Sequence, residues 1–154
     1  MAHSKKVMGT AVSTDGVAAI RAWMRLSDAL AAFDRHLRSE FGITGGQLAI
    51  LRIIAEGEIT LVELRNRLAM HPATLGQVVD RIVRLGLLVS SPLDSDRRVR
   101  VLTLTEDGLR LLRKAPLAGP VRLRSAADSE SSRFLGAAFT EALSAFGLER
   151  WTDS

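Results

Sequence analysis

Apolar residues recur at helical spacing in long stretches at both ends of the chain. From Val17 to Phe41 they recur every three or four residues, which predicts one long helix that stops at Gly42. Its apolar stripe comprises Ile20, Trp23, Leu26, Leu30, Phe33, Leu37 and Phe41. A second stripe between Phe134 and Phe146 predicts a last helix that ends at Gly147. Such stripes are wider than one small domain can cover, so we expect them to form a shared dimer core.

Two capping boxes mark the starts of short helices in the middle of the chain. In each box a threonine hydroxyl accepts a backbone N–H three residues on, and the residue there reaches back to the threonine N–H. The pairs are Thr44 with Gln47 and Thr60 with Glu63. They predict helices over about 45–55 and 61–68, separated by the turn at 56–58.

A fourth helix is predicted from Pro72, a residue suited to a first helical position, with His71 as an unusual N-cap. It ends before Gly86. The positions expected to face inward are Leu75, Val78, Val79, Ile82 and Leu85.

A β-hairpin and a further helix follow. Strand-like runs at 87–89 and 99–104 are joined by the turn-forming segment 91–96. Thr105 then caps a helix with acidic residues in its first turn and Arg113 and Lys114 at its end, which suits the helix dipole. Pro116, Gly119 and Pro120 interrupt the chain after it, and 125–132 is a polar link.

Two short helices followed by a hairpin are typical of a winged helix-turn-helix. The predicted fold is therefore mainly α, with a small β-hairpin wing. The expected organisation is a flexible leader at 1–16, an N-terminal dimerisation helix at 17–43, a winged helix-turn-helix DNA-binding lobe at 44–114, and a C-terminal dimerisation region at 115–154.

Composition narrows the function classes. The 154 residues contain no cysteine, which excludes disulfides, thiolate zinc sites and iron–sulfur clusters. Three scattered histidines make a metal site unexpected, and no cofactor is predicted. No apolar run approaches the roughly 18 residues of a membrane span. We therefore expect a cytoplasmic protein without a membrane partner.

The net charge of +4 is concentrated in the middle of the chain. Ten basic and six acidic residues lie between Ile59 and Lys114, so this window holds the whole excess. A basic surface there indicates an anionic partner such as nucleic acid.

The fourth helix is the candidate recognition helix. With its apolar face buried, the opposite face presents Ala73, Thr74, Gln77, Arg81 and Arg84. Gln77 can pair with adenine through two hydrogen bonds, while Thr74 and Ala73 can contact a thymine methyl group. Arg81 and Arg84 lie farther along and suit phosphates. The alternative is an ordinary solvated helix face.

The hairpin tip places Arg97 beside Arg98. A guanidinium at such a tip can enter a narrow minor groove, where the negative potential is deepest. Asp96 is expected to orient an arginine through a bidentate pair. The alternative is a charged hairpin turn with no partner.

These residues resemble the MarR family of winged-helix transcription regulators. The run from Asp96 through Arg98 to Leu104-Thr105 matches the family's wing signature, D-x-R-x5-L-T. Further family-like positions are Thr44-x-x-Gln47, Leu64-x-x-x-Leu68, Thr74, Val79-Asp80-Arg81 and Leu85-Gly86-Leu87. The strong match covers roughly residues 44–112. The chain departs from the family at His71-Pro72, where members often have a small polar cap, and at Pro116 and Pro120, where many have one long helix.

The resemblance implies a homodimeric repressor whose recognition helices read an inverted-repeat operator in double-stranded DNA. It implies Arg98 in the minor groove, Arg97 near phosphate, and release by a small aromatic or anionic effector. Trp23, His36 and Arg52 are of the type that could line an effector pocket. A core position for Trp23, a solvated position for His36 and a surface position for Arg52 are favoured over this role, so the effector residues stay unknown.

Two other classes compete with this hypothesis. An enzyme is disfavoured because no catalytic triad spacing, P-loop, dinucleotide-binding turn or HExxH is present. Asp94 and Asp96 form a carboxylate pair, but an exposed turn lacks the apolar pocket that catalysis needs. The remaining alternatives are a winged-helix protein-interaction module and a DNA-binding regulator that responds to no ligand.

Overall fold

The chain folds into a mainly helical structure with a small antiparallel sheet, as the sequence predicts. A computed structural model describes residues 13–68, 70–124 and 129–152. The elements are α1 (Thr14–Phe41), α2 (Gly45–Ile54), β1 (Ile59–Thr60), α3 (Leu61–Leu68), α4 (Pro72–Arg84), β2 (Leu88–Leu93), β3 (Asp96–Leu104), α5 (Glu106–Lys114) and α6 (Ser129–Ala145). Short 3₁₀ turns cover Pro120–Arg124 and Glu149–Trp151. Among the described helices, none combines the length and the apolar character needed to cross a bilayer.

Both predicted capping boxes are present. The Thr44 hydroxyl accepts the N–H of Gln47 at 3.2 Å, and the Gln47 side chain accepts the N–H of Thr44 at 2.8 Å. Thr60 and Glu63 repeat the arrangement at 3.2 and 2.8 Å. These bonds satisfy backbone donors that a helix start leaves without partners, which is why α2 and α3 begin where the sequence predicts.

Two helix starts differ from the prediction. Helix α1 begins at Thr14 rather than Val17, because the Ser13 side chain accepts the N–H of Gly16 at 2.9 Å and caps the helix there. Helix α6 begins at Ser129, so the second half of the expected polar link is helical. The rest of that link, 125–128, and the first twelve residues of the expected leader lie outside the described residues.

Helix α2 is at the centre of the core. Its side chains Leu48, Ile50, Leu51, Ile53 and Ile54 are all nearly inaccessible to solvent. A helix that is apolar on every side must be surrounded by protein. Other fully buried side chains come from α1, α3, α4, β2 and β3, namely Leu37, Leu64, Leu75, Ile82, Leu88 and Leu102.

The sheet has three strands in the order β1-β3-β2, one more than the predicted hairpin. Strand β1 pairs Ile59 with Leu102 and Thr60 with Val101. Two residues are too short to show an alternating pattern, so the sequence contains no periodic signal for this strand. By pairing with β3, β1 fixes the hairpin to the start of α3.

The hairpin is longer and its turn tighter than expected. Strands β2 and β3 extend to Leu93 and back to Asp96, which leaves Asp94 and Ser95 as the turn. Pro92 is tolerated because β2 is an edge strand and its residues need not all donate to a neighbour. The pairing register shifts between Pro92 and Leu93, as in a β-bulge.

The inward face of α4 is narrower than predicted. Leu75, Val79 and Ile82 are buried, whereas Val78 is half-buried and Leu85 is 42% exposed. Leu85 is the C-cap of α4, where the chain leaves the helix, so it no longer follows the helical face. Gly86 follows with φ of 73°, a left-handed conformation that favours glycine.

The apolar stripes of the terminal helices are largely exposed in the single chain. Only the C-terminal part of α1, through Phe33, Leu37 and Phe41, contacts the core. In the second stripe Leu135 and Ala142 are half-buried. The other large apolar residues of the two stripes are 40–71% exposed, including Trp23, for which a core position was the alternative. Trp23 contacts Phe146 edge to face, with ring centroids 5.7 Å apart.

Candidate nucleic-acid interface

The helix-turn-helix is formed by α3 and α4, and His71 starts the second helix. The His71 Nδ1 atom accepts the N–H of Ala73 at 3.3 Å, and Pro72 occupies the first helical position. The unusual cap that the sequence predicts is therefore present. It places the N-terminus of α4 at the surface, with Ala73 and Thr74 in its exposed first turn.

The predicted recognition residues all lie on one exposed face of α4. At about 100° per residue, Ala73, Thr74, Gln77, Arg81 and Arg84 fall within roughly a third of the helix circumference, opposite the buried residues. Asp80 is a carboxylate on the same face, outnumbered by two arginines. Gln77 and Arg81 also border a groove of about 410 Å³ between α4, α2 and the end of α3.

The wing tip presents its two arginines to solvent. Arg97 and Arg98 are exposed at the start of β3. Asp96 does not form the expected bidentate pair with a guanidinium. Its carboxylate accepts the backbone N–H of Arg98 at 3.0 Å, because an aspartate side chain is long enough to bind the N–H two residues later in the chain. Asp96 therefore orients the turn, and the arginine side chains stay available.

Arg100 has a structural role in the wing. Its guanidinium donates to Ser90 on the opposite strand, to the hydroxyl at 3.1 Å and also to the carbonyl oxygen. The side chain thus joins β2 to β3 below the tip. This leaves Arg97 and Arg98 as the exposed cations that the tip can present.

The arginines of the lobe divide into paired and unpaired sets. Arg67, Arg110 and Arg113 form ion pairs with Glu56, Asp107 and Glu106, respectively. Within 13–68, 70–124 and 129–152, no carboxylate lies within ion-pair distance of Arg81, Arg84, Arg97 or Arg98. The four arginines that the sequence places on the recognition helix and the wing tip are therefore among the arginines without an ion pair. Arg52, Arg65 and Arg100 also lack a carboxylate partner within the described part of the chain.

Arg52 has a role that the sequence analysis missed. It was considered for an effector pocket or as a surface charge, but its guanidinium is half-buried and donates to the carbonyl oxygens of Ala115 at 2.9 Å and Leu112 at 3.3 Å. Its Nε atom is buried without a partner. A single cation between Leu51 and Ile53 was a signal that it needed a buried acceptor. Arg52 joins α2 to the end of α5, where the chain leaves the lobe.

We expect Arg52→Met to lower the free energy of unfolding by about 1–3 kcal/mol, because two charge-assisted hydrogen bonds are lost. Removal of the buried, unpaired Nε–H offsets part of this loss. Urea unfolding followed by circular dichroism measures the change. Arg113→Met, a replacement of an exposed arginine at the end of α5, is the matched control and should change stability little. Equal stability of Arg52→Met and the wild type would contradict this role.

Asp34 joins α1 to the start of α2. Its carboxylate accepts the N–H of Gly45 at 2.7 Å and two N–H groups of Arg38 at 2.7 and 2.9 Å. The Gly45 N–H and the Arg38 guanidinium hold the pKa of the Asp34 carboxyl below its usual value, so the group is ionised at neutral pH. Sequence spacing could not reveal this contact because it spans a change of helix.

Comparisons with known proteins agree with the resemblance seen in the sequence. Residues 41–99 match the model of the MarR family, which covers α2 to the first half of β3. The search of curated proteins finds no match.

Several solved structures share the fold. Sco3205 of Streptomyces coelicolor, described as a MarR family transcriptional regulator in complex with DNA, is 20% identical over 85% of this chain and 87% of its own, with a TM-score of 0.64. BpsR of Bordetella bronchiseptica, whose DNA binding is regulated by 6-hydroxynicotinic acid, is 23% identical over 94% and 97%, with a TM-score of 0.57. The transcriptional regulator BldR of Sulfolobus solfataricus is 19% identical over 84% and 95%, with a TM-score of 0.58. The likeness to these solved structures shows that the chain shares their fold.

Proposed function

We propose that this chain, whose residues 41–99 match the model of the MarR family, is a homodimeric regulator that binds double-stranded DNA and represses transcription until a small molecule releases it. The observation that carries the proposal is the unpaired state of Arg81, Arg84, Arg97 and Arg98 among the described residues. Unpaired guanidiniums at the end of a helix and at a wing tip are positioned to neutralise phosphates.

The residues of the interface have different roles in this proposal. Thr74 and Gln77 read base edges in the major groove, with Ala73 against a thymine methyl group. Arg81 and Arg84 bind phosphates, and Arg98 enters the minor groove while Arg97 contacts the adjacent backbone. Asp96 contributes by fixing the backbone of Arg98.

A gel shift against the promoter of its own gene tests DNA binding. We expect a specific complex whose affinity falls by about 10³-fold or more between 50 and 200 mM salt, as for a protein that makes six or more phosphate contacts. Promoter DNA in which an inverted repeat has been scrambled is the control. Binding that ignores salt, or absent binding, would overturn the proposal.

The homodimer is supported by the exposed apolar faces of α1 and α6. The residues concerned include Ile20, Trp23, Leu143 and Phe146, each at least 40% exposed in the single chain. Contiguous apolar surface of this kind marks a protein–protein contact. A second copy would cover it and place two recognition helices on one side, for half-sites about one helical turn apart.

We expect Ile20→Glu to weaken dimerisation at least about tenfold, because it would bury an unpaired carboxylate in the contact. Sedimentation equilibrium measures the dissociation constant. The control is Ala32→Glu, which adds the same charge to α1 on the side that carries Asp28 and Arg35. If both variants dimerise like the wild type, the face containing Ile20 is not the contact.

A further inference from the structure

A cavity lies between the two terminal helices and the connection that follows α5. It encloses about 530 Å³, a size typical of small-molecule sites. Three parts of the same chain form its walls: α1, the connection after α5, and α6. The side chains that define these walls are Leu30 and Phe33, Ala118 and Pro120, and Leu135 and Phe139.

The lining of this cavity is apolar throughout. All of its lining residues are aliphatic or aromatic, or are glycine, alanine or proline, and none carries a charge. An ionised ligand would lose its hydration there without gaining a partner, which is costly for a carboxylate. The lining therefore favours an uncharged molecule with an aromatic or aliphatic body.

A second, smaller cavity of about 340 Å³ adjoins the first and shares Leu30, Phe33, Ala118 and Pro120 with it. It opens against the first turn of α2, at Gly45 and Gly46. A helix N-terminus of this kind is the place where an anion could find hydrogen-bond donors.

The protein's own carboxylate already occupies that position. Asp34 lines the smaller cavity and accepts the N–H of Gly45 at 2.7 Å. The Arg38 guanidinium donates two hydrogen bonds, both to the same carboxylate. An incoming anion would face an ionised carboxylate whose positive partners are engaged. Charge repulsion and the loss of hydration would therefore both disfavour binding of an anion.

We infer that the effector held between α1, the connection after α5 and α6 is an uncharged, largely apolar aromatic molecule and not an anion. This inference rests on the proposed function for its regulatory meaning. The family resemblance implies an effector that is either aromatic or anionic, and the inference selects the aromatic class. The carboxylate of Asp34 is the group that selects against negative charge.

Calorimetry with 2-naphthol and 2-naphthoate tests the inference, since the two probes share a ring system and differ in charge at neutral pH. We expect the dimer without DNA to bind 2-naphthol at least about tenfold tighter than 2-naphthoate. In Asp34→Asn, where the amide oxygen can still accept from Gly45, the preference should fall at least about threefold. Asp28→Asn, on an exposed part of the same helix, is the matched control and should keep the wild-type preference.

Two cavity-filling variants locate the site. Ala29→Trp and Ala118→Leu enlarge side chains on different walls, and each should weaken 2-naphthol binding at least about tenfold while thermal unfolding stays cooperative. If one variant does not fold, the other decides. Equal or tighter binding of 2-naphthoate, binding of neither probe, or unchanged binding in the folded filled variants would overturn the inference. These measurements need no DNA, so failure of the gel shift is a separate outcome.

Discussion

Replacing Gly108 with alanine should lower the free energy of unfolding by at least about 3 kcal/mol, or prevent folding altogether. A Cβ atom on Gly108 would lie 2.3 Å from the carbonyl oxygen of Leu87 and 3.0 Å from the Cδ2 atom of Leu104. The first contact is with backbone, which cannot rotate away. The Leu87 carbonyl is also held in place, because it accepts the N–H of Thr105 at 3.1 Å. Helix α5 would have to move away from the sheet, with Leu112 leaving the core.

Urea unfolding measures this loss, and Gly76→Ala is the matched control. Gly76 lies inside α4, and a Cβ atom there would meet nothing within 4 Å apart from its chain neighbours and the backbone of its own helix. Alanine should therefore stabilise α4 by about 0.5–1 kcal/mol, since it restricts the unfolded chain. The change from glycine to alanine should therefore lower the free energy of unfolding at position 108 and raise it at position 76. A loss below about 1 kcal/mol for Gly108→Ala would show that α5 can shift without cost.

The second large effect concerns DNA. Arg98→Ala should weaken operator binding at least about 30-fold, because in the proposed dimer each of the two subunits would lose a guanidinium contact worth roughly 1–3 kcal/mol. Arg98 has no carboxylate partner among the described residues, so its removal breaks no ion pair within the described part of the protein. Competition gel shifts at fixed salt measure the loss. If Arg98 reads a narrow minor groove, the discrimination between A·T and G·C pairs beneath the wing should fall with it.

Arg113→Ala is the control for charge alone. It also removes one exposed arginine per subunit, but that arginine is paired with Glu106 on α5. We expect its effect on affinity to be less than about threefold. If Arg98→Ala binds DNA like the wild type, and the double variant Arg97→Ala/Arg98→Ala also retains regulation, the wing does not contact DNA. The protein-interaction alternative would then be favoured.

Elements specified by residues close in sequence could be predicted. The capping boxes at Thr44 and Thr60 and the cap at His71 act within three residues, so they set helix starts without reference to the rest of the chain. The exposed face of α4 followed from helical periodicity for the same reason. Local sequence alone therefore predicted which residues of α4 face solvent.

Features that depend on distant segments could not be predicted. Strand β1 exists because Ile59 meets Leu102, and Arg52 is buried because the end of α5 supplies two carbonyl oxygens. The need for glycine at position 108 comes from the neighbouring carbonyl of Leu87, twenty-one positions earlier. In each case the decisive partner is specified by packing and not by a local pattern. Asp96 is the opposite case. The expected partner was an arginine side chain, but the observed partner is the backbone N–H of Arg98, two residues away.

The attachment of the wing has a consequence for its motion. At its base, the Thr105 hydroxyl donates to the Gly86 carbonyl at 2.6 Å and accepts the N–H of Gly108 at 3.0 Å, and Arg100 joins the strands farther out. Beyond Arg100 the register shift at Pro92 and Leu93 interrupts regular pairing. Backbone amides below this point should exchange with deuterium slowly, while those of the tip move within nanoseconds to microseconds. In the proposed complex with DNA, the wing would consist of a stiff stem and a short mobile end, and the ordering entropy of binding would be confined to a few residues.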